Sequence, residues 1–143
     1  MSDPYEHDVV LWSERQASLL RRRAAGELVN DVELDWPNIA EEIETVGRNE
    51  IRACESHLVR ALLHMLKAQA WPTSQDVPHW EAEARGQRDD ARAAFTPSMT
   101  QRIDVATLYR RALRRLPDSI DGVPPLPVAS DCPMTLDALL AEP

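Results

Sequence analysis

Cysteine is scarce in this chain, with only Cys54 and Cys132 in 143 residues, so neither a disulfide-rich scaffold nor a four-thiolate metal site is available. One Phe and two Tyr accompany four Trp, and the core must therefore be built mainly from Leu, Ile, Val and Ala. Long apolar runs are missing as well. No segment approaches the roughly 20 residues needed to cross a bilayer, and MSDPYEHDVV has neither the basic start nor the greasy stretch of a secretory signal. The expectation is a cytoplasmic protein that does not enter the membrane. Nor is there an excess of base: 24 acidic against 16 basic side chains leave a formal charge of -8, which disfavours general nucleic-acid binding because phosphate contacts need concentrated Lys and Arg. Two local runs remain, Arg21 to Arg23 and the RRALRR stretch from Arg110 to Arg115. Solvated helix ends, where cations complement the C-terminal dipole, account for both.

What the chain does have is helical spacing, with no competing period-two alternation. Its length suits one domain with a single core of several helices. Asp3 and Pro4 suit the start of a first helix carrying Tyr5, Val9, Trp12, Leu19 and Leu20, which the pattern extends to about Ala25 and stops at Gly26. Asp35, Trp36 and Pro37 signal a second start. Trp36, Ile39, Ala40, Ile43, Val46 and Gly47 share one face, and Gly47 marks either a close helix contact or a short break. Beyond it, Ile51, Leu58, Leu62, Met65 and Leu66 form the stripe of a central core helix that Trp71 and Pro72 end.

A thinner strip, Trp80, Ala84, Gln87, Ala91, Ala94 and Phe95, predicts a third long helix, with Gly86 its weak point. Thr96 or Ser98 can cap a fourth that carries Met99, Ile103, Ala106, Tyr109, Leu113 and Leu116. From Pro117 to Pro133 five prolines and one glycine imply an extended wrapping segment, and Thr135 can cap a short last helix with Leu136, Leu139 and Leu140. The pattern predicts an all-α fold: a compact irregular bundle of about four main helices plus a short C-terminal helix and the proline-rich wrap.

The polar groups beside the central stripe are where chemistry would sit. Glu50, His57 and His64 recur every seven residues and share one side of a continuous helix. If a bend at Gly47 brought Glu42 or Glu44 close, a carboxylate and imidazole set could hold a divalent metal. Such a site would support metal-assisted hydrolysis, with Glu42 and Glu50 as ligands or general base, His64 as ligand or acid/base, and Arg48 or Arg88 stabilising an anion. Spacing opposes it, because seven residues rise about 10.5 Å and the usual intrahelical pair is four apart. No cofactor is predicted. The competing structural reading pairs Glu42 or Glu50 with Arg48, Arg52 or Arg88 and leaves His64 neutral between helices, its desolvation offset by hydrogen bonds. Cys54, three residues from His57, lies beside the core stripe and reads as buried packing rather than a thiolate nucleophile. No GxSxG elbow, phosphate loop or nucleotide fingerprint occurs.

The motif AEEIETVGRNE, taken with LWSERQASLLR, LLHMLK, the Trp80 to Arg88 segment and CPMTLDALL, resembles the bacterial family catalogued as domain of unknown function 29, over nearly the full chain. The matching positions are Asn38, Glu41, Glu42, Glu44, Gly47, Arg48, Glu50, His64, Gln87 and Arg88. The resemblance implies a compact helical domain and transfers no activity. The reading drawn from the sequence is a non-enzymatic intracellular helical domain that binds an unidentified protein partner or itself, with the Glu42/Glu50/His64 hydrolase as the alternative.

Overall fold

The computed structural model describes residues 3–142, and every regular element in it is helical. In order these are α1 (Pro4–His7), α2 (Val9–Ala24), α3 (Trp36–Ala70), α4 (Val77–Ala94), α5 (Val105–Arg115) and α6 (Leu136–Leu140), with short 3-10 turns at Asp31–Glu33 and Pro97–Met99. Four main helices and a short C-terminal one make the all-α fold that the spacing implies. The backbone packs as two units, Met1–Gly47 and Arg48–Pro143.

In the first unit the expected single N-terminal helix is two. Asp8 leaves helical geometry, closes α1 by donating its N–H to Pro4 O, and accepts from Leu11 N through its carboxylate to open α2. A short polar side chain that can cap in both directions explains the break. Gly26, at φ 84°, ends α2: its N–H bonds to Arg23 O and that of Glu27 to Arg22 O, so left-handed glycine satisfies the last carbonyls. Trp12, Leu34 and Ile39 form the buried centre, with Tyr5, Leu19, Leu20 and Val29 packed around them. The Tyr5 and Trp12 rings meet edge to face at 4.8 Å. Gln16 ties the loop before α3 to α2, donating to Glu33 O at 3.1 Å and accepting from Asp35 N at 2.9 Å.

The second unit is organised on the later turns of α3. Leu58, Val59, Leu62 and Leu66 are buried with Ala91 of α4, Leu108, Tyr109 and Ala112 of α5, and Leu139 of α6. The helical stripe read from the sequence is this core. The start of α5 differs from expectation: Pro97–Met99 forms a 3-10 turn, and the α-helix begins only at Val105. Met99 and Ile103 are nonetheless buried, because the turns preceding the helix carry them inward. Asp104 accepts from the Thr107 hydroxyl at 2.7 Å, which with backbone donors holds its carboxyl below the usual carboxylate range.

The proline-rich stretch wraps as expected. Asp121 and Gly122 both have positive φ, the requirement of a tight two-residue turn, and Ile120 and Val123 exchange backbone hydrogen bonds across it. Trp71 Nε1 donates to Val123 O at 2.8 Å, Leu126 N to Ala70 O at 2.9 Å, and the Tyr109 hydroxyl to Ala129 O at 2.6 Å. Thr135 caps α6 through Ala138 N. The tail is fastened by two of its backbone carbonyls and the N–H of Leu126, a non-proline position that can still donate.

Candidate functional site

The break at Gly47 does not form: α3 runs unbroken from Trp36 to Ala70, and a Cβ built on Gly47 meets nothing within 4 Å, so the glycine serves neither a break nor a close contact. Without a bend, nothing folds Glu42 or Glu44 back onto Glu50. Glu50 and His64 lie fourteen residues apart on the helix, about 21 Å along its axis. Among the described residues no three His, Cys, Asp or Glu side chains gather as a metal would need. The expected metal set Glu42, Glu50 and His64 is thus not brought together.

Each candidate has its own surroundings. In the first unit, half-buried Glu42 accepts the Tyr5 hydroxyl, and that bond, foremost, pushes the phenol above its usual value. Asp35 accepts from Asn38 Nδ2 at 2.8 Å and Trp12 Nε1 at 2.9 Å, and these donors hold it below the usual carboxylate range. In the second unit, Arg48 and Glu50 are exposed. His57 Nδ1 meets Gln87 Oε1 at 2.8 Å. His64 is half-buried with Nδ1 buried and lacking a hydrogen-bond partner; burial, then Lys67, pushes its pKa below the ordinary 6.5, with His79 adding to the effect and Glu83 opposing it.

Arg88 is not held ready for an anion. Its Nε donates to Leu139 O at 2.8 Å and its Nη2 to Ala138 O at 2.9 Å, while Arg92 donates to Leu140 O at 2.8 Å and Ala141 O at 3.0 Å. Two guanidinium forks from α4 thus satisfy the carbonyls that end α6, where the helix presents unpaired acceptors and partial negative charge. Cys54 is fully buried, with Sγ 3.4 Å from Ala91 O, and burial raises its thiol pKa. Those are the properties of packing and the opposite of an activated nucleophile.

Among the described residues, two of the concavities offer places where a ligand or partner can lie. The first, about 870 Å³, runs between α2 and the 32–38 segment of the first unit, over Leu11, Leu19, Val32 and Leu34, with Glu14, Arg15 and Glu33 among its charged residues. Leu11 and Val32 are 50% and 89% exposed. The second, about 300 Å³, lies between α3 and α5 of the second unit and is lined by Arg52, Glu55, Ser56, Val59, Arg111 and Arg115. From the sequence, Leu19 belongs to a helical face, Arg111 and Arg115 to a solvated helix end, and Arg52 to a pair with Glu42 or Glu50. Only the four-residue spacing of Arg52 with Ser56 and of Arg111 with Arg115 hinted at facing ladders.

These features define an all-α protein in which Asp35, Glu42, His57, Arg88 and Arg92 tie one element to another. The family described as domain of unknown function DUF29 matches residues 4–143, and the chain belongs to this bacterial family. It is also similar to a crystal structure of an alpha-helical protein of unknown function from Rhodospirillum rubrum, at 28% identity and a TM-score of 0.70, over 99% of this chain and 92% of that one. Among curated proteins none matches.

Proposed function

We propose that the protein is a non-enzymatic, cytoplasmic interaction domain whose Met1–Gly47 unit receives an amphipathic helix of a partner protein. One observation carries this reading: among the described residues, eight of the ten exposed large apolar side chains, Val9, Val10, Leu11, Leu28, Val32, Trp36, Ile43 and Val46, belong to that unit. Exposed apolar side chains concentrated in so short a stretch mark an interaction surface more often than scattered ones do. The groove over Leu11 and Val32 adds a concave floor, the form in which an amphipathic helix is received. Arg15 on one hand and Glu14 and Glu33 on the other supply charges of both signs to set the direction of the bound helix. The net charge of -8 favours a protein over nucleic acid. Arg22 and Arg23 support the same choice, being paired with Glu27 and Asp31. No helix among the described residues is long and apolar enough to cross a membrane.

The test compares proteins that co-purify with the wild type and with L11D/V32D, with light scattering on both. The proposal expects a specific companion of the wild type to be lost from the variant while the helical circular dichroism is kept. An unchanged set of companions, or a wild type that pairs only with itself, contradicts it.

Among the described residues the metal-assisted hydrolase has no gathered ligand set in its favour. Separate E42Q, E50Q and H64A substitutions test it: a hydrolytic activity lost in all three would restore that reading.

A further inference from the structure

The cleft between α3 and α5 carries a separate inference. Arg52 and Ser56 stand one turn apart on α3, and Arg111 and Arg115 one turn apart on α5, so two short ladders line the same cleft above buried Val59. None of the three arginines has a carboxylate within 4 Å among the described residues, although Glu55 lines the same cleft and the chain holds 24 acidic side chains against 16 basic ones. An acidic protein that leaves three guanidinium groups unpaired around one concavity keeps like charges together at an electrostatic cost. A bound anion would offset that cost and gain from the focused field.

We infer that this cleft binds a phosphate monoester of a small molecule. Guanidinium forks match tetrahedral oxyanions, and the Ser56 hydroxyl adds a further donor. The charge count favours phosphate over a single carboxylate: three arginines less Glu55 leave a local charge of +2, and a phosphate monoester carries about -1.5 to -2 at neutral pH. The volume of about 300 Å³ lies at the lower end of small-ligand pockets. That size suits a phosphate and a few further atoms, and Glu55 is placed to accept from a hydroxyl or amine on the same ligand. The same carboxylate would repel the run of phosphates on a nucleic acid.

The experiment titrates the full chain with inorganic phosphate and with glycerol phosphate, against acetate and chloride at matched ionic strength. Thermal melting and phosphorus-31 line width are the readouts. Both phosphates should give saturable binding that acetate and chloride do not. R52Q and R111Q should each weaken it about tenfold or more, while R85Q, at an exposed position on α4, leaves it unchanged. R52Q, also at an exposed position, keeps the test readable if half-buried Arg111 proves necessary for folding. Absence of saturable phosphate binding, or equal binding by R52Q and R85Q, overturns the inference. So does a short single-stranded oligonucleotide that binds more tightly than glycerol phosphate and is lost in R52Q.

Discussion

Arg88 shows how residue chemistry that looks catalytic is used to hold a chain end. A fork aimed at Ala138 O and Leu139 O replaces water at the carbonyls of a five-residue helix too short to persist alone. R88A should therefore cost about 1–3 kcal/mol, read by urea melts, and should remove hydrogen-exchange protection from the 139–140 amides of α6 before those of α4. Unaltered protection there would show that Arg88 does not fasten α6. His64 gives a pH dependence of defined sign. Its folded pKa lies below the ordinary 6.5, chiefly through burial, so the unfolded chain takes up a proton first. Its contribution to stability is full above pH 6.5 and is lost as the pH falls through that value toward the lowered one. H64Q should flatten the fall in melting temperature between pH 7 and 5; an unchanged slope contradicts this. The sequence places His64 beside an apolar stripe, and burial there lowers its pKa; the hydrogen bond expected to offset that burial is missing at Nδ1. The targets of Arg88 were hidden, because backbone carbonyls brought from fifty residues away leave no mark on side-chain spacing.

At the scale of elements, α3 is the member on which the second unit depends. Leu62 is 3% exposed and sits among Leu58, Leu66 and the α5 side chains, so L62A should cost about 2–5 kcal/mol by leaving a cavity. Urea denaturation measures it, and a loss under 1 kcal/mol would place Leu62 outside the tight core. Gly86 offers the reverse change. It lies within α4, and an added Cβ meets nothing within 4 Å, so G86A should stabilise the fold by about 0.5–1 kcal/mol through lost unfolded-chain freedom. The helices were legible because apolar spacing fixes which face is buried. Their ends were less so: Asp8 divides the first helix, and Met99 and Ile103 reach the core from turns that mimic helical period. Gly47 misled for a related reason, since glycine lowers helix propensity but cannot break a helix whose neighbouring turns remain bonded.

For the whole molecule, what the sequence could not reveal was which apolar residues stay outside. Val9, Ile43 and Val46 follow the same periods as buried neighbours such as Trp12 and Ile39, yet remain about half or more exposed. Periodicity records a greasy face and is silent on what covers it. We propose that the chain unfolds as one domain, since the hydrogen-bond ladder of α3 passes without interruption from residue 47 to 48; fluorescence and circular dichroism melts should coincide, and separate transitions would refute it. The most direct measurement of the central claim is photo-crosslinking in the native host from residue 32, in the groove, compared with residue 126, an exposed leucine of the second unit. The interaction reading predicts one discrete adduct with a different protein from position 32 and none from position 126. An adduct from 126 alone, a product of twice the chain's own mass, or no adduct from 32 would contradict it.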